Sequence, residues 1–171
     1  MLPPIGKVCW FCTASSGDPQ DCVHWAEAAL CEGFDSPSLR ILAGLLPPLN
    51  VFEVRDYTVR AFRELGLAFP QGSAAVSAYA RDLAQEILDR REMLRPNLEI
   101  IFTLCHTHGY QEDIYDFYLL HCACGDFDYG PDQYHWAGAT RENIGGIVIE
   151  RCRAFIQNFE RNTEPAGGGN R

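Results

Sequence analysis

Glycine and proline cut this chain into a series of stretches in which apolar residues return every three or four positions. That spacing lays one apolar stripe along a helix, whereas a half-buried strand requires strict alternation. No alternating segment is long enough to build a sheet. The pattern predicts an all-α fold: a single-domain antiparallel helical bundle or irregular helical array of about six or seven helices. A fixed repeat of roughly 30 to 45 residues is missing, so self-similarity does not support a helical solenoid.

The start and stop signals are readable one by one. Asp18-Pro19 is an N-cap followed by proline at the first helical position, and Cys22, Trp25, Ala26, Ala29 and Leu30 form a stripe that Gly33 closes. Ser36-Pro37 repeats the start for a short helix through Leu39 and Leu42, ended by Pro47-Pro48. Asn50, with Glu53 three residues on, has the spacing of a capping box for a helix closed by Gly66. Ser73 opens the longest candidate, with Val76, Tyr79, Ala80, Leu83 and Ile87 inward, Arg81, Asp82, Gln85 and Glu86 toward water, and Pro96 as its end. Leu98, Ile101, Phe102 and Cys105 mark a helix stopped near Gly109, and Ile114, Phe117, Tyr118 and His121 one stopped at Gly125. After a looser stretch from Asp126 to Ala139, Thr140 caps the last helix, which carries Ile144, Val148, Cys152 and Phe155. The organisation expected is an N-terminal arm over 1–17, a helical domain over 18–162 and a disordered tail over 163–171.

The formal charge of −9 and a pI near 4.9 disfavour a phosphate-tracking nucleic-acid binder, which needs a basic patch. A negative field instead favours cationic partners. No run approaches the roughly 20 apolar residues of a membrane span, and the first residues make a poor export signal. The expected location is cytoplasmic, with the eight cysteines as reduced thiols.

Cys9-Trp10-Phe11-Cys12 has the spacing of a metal or redox pair. A redox motif needs a preceding strand, and a zinc site needs two more ligands. Cys22 and His24 would supply them from positions about 200° apart on one helix, which makes chelation awkward. In Cys105-His106-Thr107-His108 and His121-Cys122-Ala123-Cys124 the neighbouring His and Cys stand one or two apart, where helical ligands need i, i+3 or i+4, although His108, His121, Glu112 and Asp116 can converge from two helices. Asp126 to Asp132 departs from a calcium loop at three positions. No nucleophile elbow or phosphate loop is present. Neither a catalytic residue, a metal ligand nor a cofactor is assigned.

The strongest regional bias lies between Pro96 and Thr140, where Lys and Arg are absent. The interval holds Glu99, Glu112, Asp113, Asp116, Asp126, Asp128 and Asp132 among a dense set of aromatics, including Phe102, Tyr110, Tyr115, Tyr118, Tyr129, Tyr134 and Trp136. Tyr and Trp beside carboxylates suit an Arg- or Lys-bearing partner by ion pairing and cation–π contact. The expectation is a non-enzymatic module that binds a protein partner, basic if charge decides, through Asp126, Asp128, Tyr129, Asp132, Tyr134 and Trp136. An immunity-type protein is one example. The alternative is a metal-dependent enzyme or metal-binding module using His and Cys, and a thiol sensor around Cys9 and Cys12 is a third class.

The run from Cys22-Val23-His24-Trp25 through Phe34-Asp35-Ser36-Pro37 to Leu45, together with Phe117-Tyr118-Leu119-Leu120 and Tyr134-His135-Trp136, resembles a group of small bacterial helical proteins. The resemblance covers most of the chain. It brings no established activity and carries over no catalytic residue.

Overall fold

The structure is a computed structural model and describes residues 1–14 and 16–163; most of the expected tail, 164–171, lies outside the described residues. It is all-helical. Among the described residues eight α-helices follow one another: α1 (Gly6–Ala14), α2 (Pro19–Cys31), α3 (Pro37–Ala43), α4 (Val51–Glu64), α5 (Ser73–Asp89), α6 (Leu94–Thr107), α7 (Glu112–Tyr129) and α8 (Ile144–Thr163), with a short 3-10 turn at Arg91–Met93. Two compact units divide the chain, Met1–Asp82 and Leu83–Arg171, and the boundary falls inside α5.

In the first unit the caps act as their residue types require. Asp18, Ser36 and Asn50 each accept backbone N–H groups of the turn they open. At the other ends, the N–H of Phe34 reaches the carbonyl of Ala29 and that of Leu67 reaches Phe62, the six-to-one closure that follows Gly33 and Gly66. The core gathers Phe11, Val23, Trp25, Leu39, Leu42, Val54 and Phe62, with Trp25 and Phe69 packed against Phe62 at 5.0 and 4.3 Å between ring centroids. Glu64 at the end of α4 accepts the Ser38 hydroxyl at 2.7 Å and the Ser38 N–H at 2.9 Å, and these bonds hold its carboxyl below the usual range.

Part of the segment expected as an arm is helical. Gly6 to Ala14 forms α1, whose Val8, Cys9 and Phe11 are buried in the first core. Trp10 stacks on Tyr79 of α5 at 5.1 Å. Asp82, expected to face water, lies beneath this helix and accepts the backbone N–H of Lys7 at 3.0 Å. Only 9% of its side chain is exposed.

The second unit is built on α6, α7 and α8. Ile101, Leu104, Ile114, Phe117, Leu120 and Val148 are buried, and Phe117 meets Phe155 edge to face at 5.4 Å. Asn97, 1% exposed, donates to the Leu83 carbonyl and to Glu86, so the last turns of α5 are tied to α6. Pro96 sits in the first turn of α6 instead of ending the previous helix; the missing N–H of a proline costs nothing there. Thr140 and Asn143 exchange side chain to backbone hydrogen bonds just before α8.

The largest departure from expectation concerns α7. It does not stop at Gly125 but continues to Tyr129. Phe127 is buried on the extension, and the Arg141 guanidinium donates to the carbonyls of Phe127 and Gly130, placing a cation at the helix C-terminus. Asp126, Asp128 and Tyr129 are therefore helical, and a calcium loop over 126–132 is ruled out by its backbone.

Candidate functional site

The six residues singled out in the sequence sit on the last turn of α7 and the loop that follows, and the structure separates them into two kinds. Tyr129 and Tyr134 are 96% and 93% exposed. Asp132 between them is also exposed. Trp136 is half-buried. Asp126 faces His135 at 3.4 Å, and Asp128 pairs with Arg95 at 3.2 Å, so neither carboxylate presents its whole charge outward.

The loop is organised by a single amide. Gln133 donates to the carbonyls of Trp136 at 2.6 Å and Ala139 at 3.3 Å, and accepts the N–H groups of His135 and Trp136 at 2.9 and 2.8 Å. An ordered backbone thus holds two tyrosine rings in solvent. Neither ring supports the loop from within.

A second aromatic group occupies the opposite end of α7. Phe102 of α6 stacks on Tyr118 at 4.9 Å and on His121 at 4.2 Å. His121, half-buried on that ring, has its pKa lowered by burial. Three tyrosines continue the cluster outward. Tyr115 and Tyr118 lie parallel at 5.7 Å, and Tyr110 stands edge-on to both at 6.3 and 5.2 Å. With Glu112 they line an open surface pocket of about 530 Å³.

The α6–α7 turn explains how Tyr110 reaches that position. His108 ends α6, Gly109 takes φ +75°, and the N–H of Tyr110 bonds the Cys105 carbonyl at 2.8 Å. Tyr110 itself has φ +57°, the only positive value for a non-glycine residue among those described. A left-handed tyrosine costs about 1–2 kcal/mol, an expense set against its edge contacts with His106, Tyr115 and Tyr118. Sequence reasoning included these tyrosines in the aromatic interval without singling them out. The signal available was Gly109-Tyr110 at a helix stop, followed by Tyr at 115 and 118 on one helical face.

The cysteine motif resolves differently from its spacing. Cys9 and Cys12 lie on α1, where burial pushes Cys9 up to about 12. Cys12 bonds Cys22 of α2. That hydrogen bond, with the nearby Arg55 guanidinium, lowers the Cys12 pKa, whereas Cys22 is raised by the same bond and by burial. All eight cysteines are free thiols. Among the described residues no three His, Cys, Asp or Glu side chains are grouped as metal ligands would be. Asp116, considered for such a site, faces Arg151 of α8 at 2.8 Å.

One further surface escaped the sequence reading. Leu46, in the connection between α3 and α4, and Phe52, in the first turn of α4, are 82% and 78% exposed in the first unit. Among the described residues no helix is long and apolar enough to cross a membrane.

These features define an all-helical protein with exposed tyrosine surfaces at both ends of one helix. Compared with protein-family models, with curated proteins and with solved structures, the chain matches none of them.

Proposed function

We propose that this protein is a non-enzymatic interaction module that captures a protein partner through the acidic, aromatic surface at the C-terminal end of α7. The observation that carries the reading is the exposure of Tyr129 and Tyr134, 96% and 93%, at the end of α7 and on the following loop, whose backbone Gln133 and Arg141 already hold. Rigid, amphipathic tyrosine rings held in water gain most when a partner covers them, and Tyr is enriched among the anchors of protein interfaces. Asp132 and the absence of Lys and Arg from 97 to 140 favour a basic partner. A toxin-neutralising immunity protein is one example of the type.

The test is site-specific photocrosslinking from position 134 in the native cell, compared with crosslinking from Glu160 on α8. A partner captured from 134 alone, with capture falling about tenfold or more in the Tyr129→Ala/Tyr134→Ala double variant, supports the reading. Asp132→Lys is expected to weaken capture and flatten its salt dependence. Asp132 is the cleaner position for charge reversal, because changing Asp126 or Asp128 also breaks the pairs with His135 and Arg95. Equal capture by wild type and the double tyrosine variant sinks the proposal.

A further inference from the structure

We infer that the pocket of Tyr110, Glu112, Tyr115 and Tyr118 is a receptor for the guanidinium of an arginine side chain presented by a protein partner. Its chemistry is one-sided. The lining offers aromatic rings, phenol oxygens and one carboxylate, with no ammonium or guanidinium among its four residues. The phenols can donate or accept, but the carboxylate only accepts, so a positive, donor-rich occupant fits it. The ring quadrupoles attract a cation held over their faces, and Glu112 supplies the full negative charge.

Glu112 is available for that role. It is exposed at the first residue of α7, and no cationic side chain among the described residues pairs with it. Four other acids of the interval are more engaged: Asp116 faces Arg151, Asp126 faces His135, Asp128 holds Arg95, and Asp113 accepts from Gln111 at 2.7 Å. No arginine or lysine lies within reach in sequence either, from residue 97 to 140.

Shape selects among cations. Two parallel ring planes and a third perpendicular to them offer flat faces and edges, which a planar guanidinium can stack against while its paired N–H groups meet a carboxylate in a bidentate contact. An ammonium is a compact point charge and gains less from such planes. Openness selects between a free ligand and a side chain. Small-molecule sites bury most of their ligand, whereas this pocket is open, with Tyr110 and Tyr115 themselves 46% and 39% exposed. A side chain arriving on a larger surface brings the remaining cover with it.

This inference rests on the interaction reading only in making the occupant part of a protein. The surface is a different one: Tyr115 and Tyr129 are 14 residues apart on α7, about 21 Å along its axis.

The experiment is a titration of the full chain, followed by NMR, with a capped Gly-Gly-Arg-Gly-Gly peptide and its citrulline and lysine counterparts. Expected are saturable shifts centred on Tyr110, Tyr115 and Tyr118, at least about tenfold weaker binding of the citrulline peptide, and weaker binding of the lysine peptide. Glu112→Gln and Tyr115→Leu should each weaken the arginine peptide about fivefold with the helical signal unchanged, and Tyr129→Ala/Tyr134→Ala should leave it unaltered. Absence of saturation by the arginine peptide, equal binding of citrulline, tighter binding of lysine or tetramethylammonium, or unchanged affinity in both pocket variants would each overturn it. The loop surface can fail its crosslinking test while this titration succeeds, and the reverse.

Discussion

The carboxylate of Asp82 accepts the backbone N–H of Lys7 at 3.0 Å, joining residues 75 apart in sequence. The N-terminus of α1 thus receives its cap from the side of α5 instead of from its own preceding residue. The cap is nearly dry, and burial raises the Asp82 pKa even though the N–H groups of Lys7 and Gly6 and the Arg81 guanidinium act against that rise.

The sign of the pH dependence follows. A carboxyl whose folded pKa exceeds its unfolded value holds its proton more tightly when folded, so its stabilising contribution is complete below about pH 4 and is lost as pH rises through the folded pKa. Asp82→Asn keeps an oxygen acceptor and never ionises. Relative to wild type it should gain stability as pH rises from 3 to 7 in urea titrations. Asp82→Ala, which leaves two N–H groups without a partner, should cost about 1–3 kcal/mol at both pH values. A wild type that gains on Asp82→Asn over that range contradicts the arrangement.

Gly6 makes this cap geometrically possible. A Cβ at that position would stand 2.1 Å from the Ala78 carbonyl oxygen and 2.8 Å from the Asp82 carboxylate. The backbone atom cannot yield as a flexible side chain would. Gly6→Ala is expected to lift α1 from α5, lower stability by about 1–3 kcal/mol and shift the emission of Trp10 as it leaves Tyr79. A variant with the wild-type urea midpoint and unchanged emission would show that the helices do not approach so closely.

What the sequence made legible, and what it hid, divides along the range of the forces involved. Asp18, Ser36 and Asn50 cap the helices they precede, and Gly33, Gly66 and Gly109 follow helix ends, because these signals act within one turn of chain. The α1 segment was opaque because Val8, Cys9, Trp10, Phe11 and Cys12 surround it with apolar groups and leave no stripe to read. Asp82 looked like a solvated helix charge because its partners sit at the other end of the first unit's sequence. The site residues were legible as a region and not as a geometry. Composition marked the interval from 96 to 140, but the pairing of Asp128 with Arg95 and the convergence of Tyr110 with Tyr115 and Tyr118 depend on how α6 and α7 pack.

Gly125 tests the extended α7. In a helix interior glycine is about 1 kcal/mol worse than alanine, and an added Cβ at this position meets nothing within 4 Å. Gly125→Ala should therefore raise stability by about 1 kcal/mol, roughly 3 °C in Tm for a chain of this size. Had the helix ended at Gly125 in a left-handed cap, the same change would lower Tm. The direction of the shift in a thermal melt discriminates the two backbones.

The cysteines should divide by environment and not by motif. Cys12 accepts the hydrogen bond of Cys22 and faces Arg55, and these outweigh its partial burial and leave it the more acidic partner of that pair. Cys31 is exposed. Cys9 and Cys152 are buried and pushed up to about 12, and Cys22 is raised as well. Because the thiolate is the nucleophile, a short iodoacetamide pulse at pH 7 should label Cys12 and Cys31 in the folded protein and reach Cys9, Cys22 and Cys152 only in denaturant. Arg55→Gln removes the nearby cation and should slow Cys12 without changing Cys31. Peptide mapping reads both rates, and labelling of Cys22 as fast as Cys31 in the native state would mean that the Cys12 and Cys22 thiols do not meet as described.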